Sequence, residues 1–251
     1  MPTDATTPAP SDRTSNAPAS AAPASGDSGG TAGPAAVAGP AAPATPATPA
    51  LSLAERKRLL VATELTESAL QLLALKGFDA VTVDEIATDA GVSKRTFFRY
   101  FASKEDVVVQ FLSGMGADIH AALAARPAGE PPSASLRHAV AVPLAACTDR
   151  HPDHAARALR VVQLILRTPA LLARFLERQA HWREALAAEL AGRRGQDPAR
   201  DLYPGLAAGT ALVAFHTALQ HWADSDAAED PLELLDRAFA VVAPALDAQD
   251  R

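Results

Sequence analysis

The residues best suited to chemistry lie in a basic stretch between Gly91 and Lys104. This stretch contains four positive charges and no acidic residue, although the 251-residue chain carries a net charge of −6. Acidic residues stand on both sides of it. A polyanion would be attracted to such a local patch, because neutralising its phosphates releases bound counterions. The pattern therefore predicts nucleic-acid binding at one edge of an otherwise acidic protein.

Helical spacing predicts the direction of each side chain in this stretch. Phe97 and Phe101 are four residues apart and are expected to face the core. Arg and Lys on the opposite side can bind guanine, a Thr methyl can contact thymine, and hydroxyls, ammonium groups and a helix N-terminus can hold phosphates. Taken singly, each cation would fit a solvated helix face and Phe98 a partly exposed apolar residue. The predicted DNA-binding residues are Thr82, Ser93, Lys94, Arg95, Thr96, Phe98, Arg99, Tyr100 and Lys104.

Two helix starts and a glycine turn are predicted to position these side chains. Thr82 and Glu85 have the residue types and spacing of a capping box, and Ser93 is of the N-cap type. Gly91 can adopt the left-handed conformation that a tight turn needs. Residues 82–101 therefore predict a helix-turn-helix, in which the second helix enters the major groove.

The rest of the chain from Leu51 onward is predicted to be helical, without strands. A capping box at Ser52 opens the first helix and Gly77 ends it, and Ser103 begins the helix after the motif. Pro143 and Pro204 are expected to kink or restart their helices, and Pro244 to act similarly near the end of the last one. An N-cap residue followed by Pro at the first helical position is expected at Thr168-Pro169, Asp197-Pro198 and Asp230-Pro231. The later helices are predicted near 133–149, 153–167, 169–192, 198–223 and 231–247.

The first 50 residues have a different composition. They hold half of the 20 prolines, many Ala, and no Leu, Ile, Phe, Tyr or Trp. Such a segment cannot bury enough apolar surface to offset its ordering entropy. Residues 1–50 are therefore predicted to be a disordered Pro/Ala-rich tail. The string from Gly26 to Gly30 matches the surroundings of a trypsin-like nucleophile, but the all-β scaffold that this chemistry requires is not predicted.

Several classes of protein are disfavoured. The single Cys147 rules out a disulfide framework and a Cys-based zinc site, and it suits a reducing cytoplasm. The apolar run from Gly205 to Phe215 is too short to cross a bilayer, so no membrane partner is expected. Because the chain has no phosphate loop, dinucleotide fingerprint or credible nucleophile triad, an enzyme is the weaker alternative, and no cofactor or metal is predicted. A non-specific DNA-compacting protein is disfavoured by the acidic net charge.

The C-terminal half offers candidates for ligand binding and dimerisation. Aromatic side chains can wall a cavity, although core packing is the alternative for them, and a solvated face is the alternative for Arg. The stretch 205–222 is apolar nearly all round and must be buried all round, which predicts a two-fold interface with 231–247. The ligand candidates are Arg160, Phe175, Trp182, Phe215 and His216. The predicted dimer-interface residues are Leu206, Leu212, Val213, Leu219, Leu235 and Phe239.

A dense set of short motifs lies between Arg56 and Met115. They are Gly77-Phe78, Val81-Thr82-Val83, Ile86-Ala87, Ala90-Gly91-Val92-Ser93, Thr96-Phe97-Phe98, Tyr100-Phe101 and Ser103-Lys104-Glu105. With these motifs, the stretch resembles the DNA-binding domain of the TetR family of bacterial regulators. The resemblance implies an all-α homodimer that binds a palindromic operator, usually represses, and responds to an inducer taken up by a C-terminal helical domain. The family commonly has Tyr where this chain has Phe98, which lacks the hydroxyl that often holds a phosphate.

The C-terminal half resembles a narrower group of regulators. The runs Leu164–Gln179 and Asp230–Asp236 are similar to a domain described as acyl-CoA-like-ligand binding, of the type found in mycofactocin regulators. We therefore expect an N-terminal three-helix helix-turn-helix domain over 51–115 and a C-terminal helical ligand-binding and dimerisation domain over 116–251. The expected partners are double-stranded operator DNA, a second copy of the chain, and a small effector of acyl-CoA-like type. A ligand-independent regulator or an activator is the alternative.

Overall fold

The computed structural model describes residues 52–148 and 152–248, and in these ranges the chain forms nine α-helices and no strand. The predicted all-α class is therefore confirmed. The predicted tail lies outside the described residues. The helices are α1 (Leu53–Lys76), α2 (Val83–Asp89), α3 (Lys94–Tyr100), α4 (Lys104–Ala124), α5 (Pro132–Cys147), α6 (Pro152–Arg167), α7 (Pro169–Arg194), α8 (Leu202–Asp224) and α9 (Pro231–Leu246).

Local capping explains where the first four helices begin. Ser52 and Thr82 each form a complete capping box with the Glu three residues later. Ser93 and Ser103 each accept a hydrogen bond from the backbone N–H of the third helical residue. These interactions satisfy N–H groups that a helix start otherwise leaves without a partner. All four predicted starts are confirmed.

The predicted start of the eighth helix is wrong. Asp197 and Pro198 lie in a turn, in which the carbonyl of Asp197 accepts from the backbone N–H of Asp201 at 2.8 Å, and α8 begins only at Leu202. Pro204 then falls in the first turn of α8, where its missing N–H leaves no helical hydrogen bond unmade. No restart is needed there, and α5 and α9 likewise continue through Pro143 and Pro244.

The first three helices and the start of α4 enclose a small core. Leu65, Leu73, Ile86 and Phe97 are completely buried in it. The Ser68 hydroxyl ties α1 to α2, because it lies 2.6 Å from the Asp89 carboxylate and 3.3 Å from the carbonyl oxygen of Ile86. The turn and α3 are thus held by packing that involves residues distant in sequence.

The helix α4 leads from this core into the C-terminal helices. It packs on α1, α5 and α7, and α8 packs on α5, α6, α7 and α9. The predicted border between residues 115 and 116 falls inside α4. By length and hydropathy alone, α4 and α8 could each cross a membrane. The search for uninterrupted apolar runs did not predict this. Both helices pack here against several other helices of the chain.

Candidate nucleic-acid interface and ligand cavity

The turn between α2 and α3 has the geometry that its residues predict. Gly91 has a φ of 65°, a left-handed conformation that suits glycine. The backbone N–H of Val92 donates to the carbonyl of Ala87 at 2.9 Å, which closes the turn. Val92 is half-buried and packs against the core. The turn therefore fixes how α3 leaves α2.

The helix α3 has one buried face and one exposed face. Phe97 is fully buried and Phe101, directly after the helix, is 2% exposed, as predicted from their spacing. Lys94, Arg95 and Arg99 are exposed, while Thr96 and Tyr100 are half-buried. The cations thus lie on a surface that a DNA groove could meet.

Phe98 is an exposed aromatic residue on this same helix. Half of its surface is accessible, and its ring lies edge-on to Phe97 with the centroids 5.5 Å apart. Burying an exposed ring against sugar or base edges would be favourable. Its contact with DNA stays a prediction.

Three of the predicted DNA-binding residues already make hydrogen bonds within the chain. The backbone N–H and the hydroxyl of Thr82 donate to Glu85, and the Ser93 hydroxyl accepts from the N–H of Thr96. The Lys104 ammonium donates to the carbonyls of Phe78 and Val81 at 2.6 and 3.0 Å. Each group has this structural role in addition to any contact with DNA, and sequence spacing did not indicate the tether of Lys104.

Acidic residues of α2 pair with two of the cations nearby. The Lys94 ammonium lies 2.8 Å from the Asp84 carboxylate, and the Lys76 ammonium lies 2.8 Å from Glu85. The bond from Lys76, followed by those from Thr82, lowers the pKa of Glu85 to about 2. Glu85 is thus ionised at neutral pH, and Asp84 pairs directly with the basic helix.

A cavity of about 1070 Å³ lies among α1, α4, α5, α6, α7 and α8. Its lining is mostly apolar and includes Phe111 and Met115 of α4, with Arg157 of α6 as a cation. Arg157 is exposed to solvent and makes no ion pair with the described residues. Cys147 also lines the cavity, and burial raises the pKa of its thiol to about 11. Two acids, Glu67 of α1 and Asp118 of α4, line it as well, so the cavity can hold an apolar molecule with a polar end.

The structure separates the five predicted ligand residues. Phe175 and Phe215 line the cavity, but Arg160 is exposed on α6 outside it. Trp182 packs against Gly116 of α4 instead, so its assignment to the cavity wall is wrong.

His216 is also absent from the lining, so that assignment is wrong as well. Its ring lies 5.3 Å from that of Phe175, and its Nε2 is buried without a hydrogen-bond partner among the described residues. Burial lowers the pKa of His216. The α1 residues Ala62 and Thr66 line the cavity instead, and sequence reasoning missed them because it assigned α1 wholly to the DNA-binding part.

The predicted dimer residues also divide into two groups. Leu206 and Val213 of α8 are 65% and 67% exposed and could meet a second copy. The other four are buried within their own chain, and their contact with a partner stays a prediction. These are Leu212, Leu219, Leu235 and Phe239, with at most 7% of their surfaces exposed.

Comparisons with known proteins agree with this architecture. Residues 65–111 match the family model of bacterial regulatory proteins of the tetR family, and residues 130–247 match that of the MftR C-terminal domain. The HTH-type transcriptional regulator TcmR of Streptomyces glaucescens is 34% identical over 192 residues, which cover 74% of this chain and 83% of TcmR. MftR of Mycobacterium tuberculosis, named for the regulation of mycofactocin biosynthesis, is 32% identical over 199 residues, or 76% and 94% of the two chains.

Solved structures show the same fold. The transcriptional regulator FadR from Bacillus subtilis, in complex with stearoyl-CoA, matches with a TM-score of 0.51 at 20% identity, covering 72% of this chain and 97% of FadR. At that identity the likeness concerns the fold. The two curated regulators are similar over most of their own length, and the motif that they share with this chain is a helix-turn-helix. The chain therefore belongs to the TetR family of bacterial regulatory proteins and is a DNA-binding transcriptional regulator, not an enzyme.

Proposed function

We propose that the protein is a homodimeric repressor that binds a palindromic operator and leaves it when a small apolar or acyl-bearing ligand enters the cavity. The observation that carries this proposal is the position of α4 in the chain. This helix directly follows α3 and also contributes Phe111 and Met115 to the cavity. A ligand can shift the operator-bound arrangement only if it binds a different arrangement more tightly. Since the operator is chromosomal, we expect the protein in the cytoplasm.

The exposed cations of α3 are the proposed readers of the operator. Arg95 and Arg99 project from the helix face opposite the buried Phe97. Arg95→Ala and Arg99→Ala should each weaken operator binding by about 1–3 kcal/mol if the guanidinium contacts a base. Arg200→Ala is a matched control, since Arg200 is 87% exposed in the turn before α8.

The first test is footprinting on the DNA that flanks the protein's own gene, followed by titration of the protected duplex. We expect one protected palindrome, which both α3 variants bind less tightly than the wild type and the Arg200 variant. Wild-type affinity in both α3 variants would contradict the proposed contact surface. Protection spread evenly along the duplex would contradict a specific operator.

The proposed dimer contact is the exposed stripe of α8 with the adjoining face of α9. Leu202, Leu206 and Val213 of α8 recur at helical spacing and are at least 65% exposed, and Val241 of α9 is 79% exposed. A monomer gains nothing from presenting such large aliphatic side chains to water, whereas a two-fold dimer would bury them. It would also present two copies of α3 to successive major grooves, roughly 34 Å apart.

Val213→Glu tests this dimer contact. A buried carboxylate without a partner costs several kcal/mol, so the variant should sediment as a monomer and lose operator affinity. Leu60→Glu introduces the same charge at a side chain on α1 that is 69% exposed, and it should remain dimeric. A dimeric Val213→Glu protein, or a monomeric wild type at micromolar concentration, would overturn the interface.

An acyl-CoA-like molecule is the proposed effector. The apolar lining suits an acyl chain, and Arg157 can meet a phosphate or carboxylate at its end. The FadR structure with stearoyl-CoA supports this ligand class through its shared fold. Arg157, and not Arg160, is thus the proposed cation for the anionic end of the ligand.

Titration with stearoyl-CoA tests the effector, with free CoA as the ligand control. We expect stearoyl-CoA to quench tryptophan fluorescence and to release the operator, and Arg157→Ala to weaken both effects while Arg160→Ala leaves them unchanged. Ala158→Trp would fill part of the lining and should block the ligand without reducing operator affinity. Stearoyl-CoA that binds no more tightly than free CoA would exclude this ligand class, and binding without release would favour a ligand-independent regulator.

A further inference from the structure

Lys94, the first residue of α3, is held by an acid of the preceding helix. Its ammonium donates a hydrogen bond to Oδ2 of Asp84 at 2.8 Å, and about half of each side chain is accessible to water (54% for Lys94 and 63% for Asp84). Lys94 is also a proposed DNA-contacting residue. In the free protein, therefore, the ammonium that would contact DNA already forms an ion pair with a carboxylate.

We propose that Asp84 is a positioning residue that holds Lys94 on α2 and so weakens the phosphate-dependent part of DNA binding. This proposal rests on the contact of Lys94 with DNA in the proposed function. Non-specific binding comes almost entirely from neutralised phosphates. A carboxylate beside the ammonium reduces that term, and it opposes every sequence equally.

Operator and non-specific DNA bear this cost alike, because the ion pair to Asp84 must be broken before Lys94 can meet either of them. A lysine that reaches guanine makes hydrogen bonds to a base edge, which replace the ion pair to Asp84. A phosphate of non-specific DNA competes with Asp84 for the same ammonium. Asp84 therefore lowers both affinities, while discrimination between sequences comes from the base contact.

Asp84 differs from the other acids of α2 in its partner. Glu85 pairs with Lys76 of α1 and caps α2, and Asp89 accepts from the Ser68 hydroxyl. Both of those acids support the packing of α1 on α2. Among the ion pairs of the described residues, Asp84 is the acid that contacts a cation of α3.

The test compares the full-length wild type with Asp84→Asn, Lys94→Ala and the double variant. The probes are the operator duplex found by footprinting and poly(dI-dC), each titrated at several salt concentrations. The pair is exposed, so we expect Asp84→Asn to tighten binding to poly(dI-dC) by about two- to fivefold and to steepen its salt dependence. Operator affinity should rise by a similar factor, so the ratio of specific to non-specific affinity should stay nearly unchanged.

Asp79→Asn is the matched control, since Asp79 is an exposed acid in the loop before α2. It removes the same charge and should leave both affinities unchanged. In the Lys94→Ala background, Asp84→Asn should have no effect on either probe. An equal effect from Asp79→Asn, or an effect of Asp84→Asn that persists without Lys94, would overturn the proposal.

The outcomes also separate this proposal from the function on which it rests. If Lys94→Ala weakens operator binding while Asp84→Asn changes neither affinity, the positioning role is refuted and the DNA contact stands. If Lys94→Ala binds both probes like the wild type, the DNA contact of Lys94 is refuted, and the positioning role with it.

Discussion

Gly116 lies where α4 crosses α7, directly against the indole ring of Trp182. A Cβ added to Gly116 would stand 2.1 Å from Nε1 and 2.3 Å from Cδ1 of that ring, far inside contact distance. The indole is 5% exposed and lies edge-on to Phe175, with the centroids 5.8 Å apart. The ring cannot turn aside without moving its neighbours, so Gly116→Ala should force α4 and α7 apart.

The expected size of the effect follows from two opposing terms. Overpacking of a tight core costs about 1–3 kcal/mol, and a contact this short belongs near the upper end. Replacing a helical Gly by Ala gains roughly 0.5–1 kcal/mol. Gly116→Ala should therefore lower the free energy of unfolding by about 2 kcal/mol. Gly114→Ala, in the same helix but with no atom within 4 Å of its Cβ, should raise it by roughly 0.5–1 kcal/mol.

Urea unfolding followed by circular dichroism would measure both changes. Each variant must be compared at the same protein concentration, because dimerisation contributes to apparent stability. Combining Gly116→Ala with Trp182→Leu should destabilise less than the sum of the two single changes, since the smaller side chain relieves the clash. Equal shifts for both glycine variants, or a strictly additive double variant, would refute the packing of Trp182 on Gly116.

Three further predictions concern stability and the N-terminal segment. Leu73→Ala should cost about 2–5 kcal/mol of unfolding free energy, because Leu73 is fully buried. Leu72→Ala should cost less, because Leu72 is only partly buried, and thermal denaturation would compare the two variants. Burial lowers the pKa of His216 below its ordinary value of 6.5. The stabilisation that the folded protein gains from keeping this ring neutral is therefore complete above pH 6.5 and is lost as the pH falls below it. His216→Leu should therefore lose less stability than the wild type between about pH 8 and pH 5 in urea titrations, and parallel losses would contradict this. Deleting residues 1–50, which contain one basic residue and three acids, should leave operator affinity within about threefold, and a hundredfold loss in a gel-shift titration would refute that expectation.

The helix-turn-helix could be predicted from sequence because short-range interactions specify it. The capping box of Thr82 and Glu85, the left-handed Gly91 and the cap of Ser93 each act within about one helical turn. The burial of Phe97 and Phe101 followed from a spacing of four residues. A few neighbouring residues are therefore enough to predict these features.

Contacts between distant elements decided the other assignments. Periodicity showed α8 to be apolar all round, but it could not tell that Leu212 packs inside its own chain while Val213 faces water. The same limit applies to Trp182, whose ring packs on Gly116 of another helix. It applies also to Lys104, whose ammonium donates to carbonyls more than 20 residues earlier in the chain. Sequence alone determined the helix-turn-helix, the caps of the first four helices and the side of its helix on which each residue of α3 lies. Tertiary structure decided what each side chain meets, because that depends on which helices pack together and at what depth.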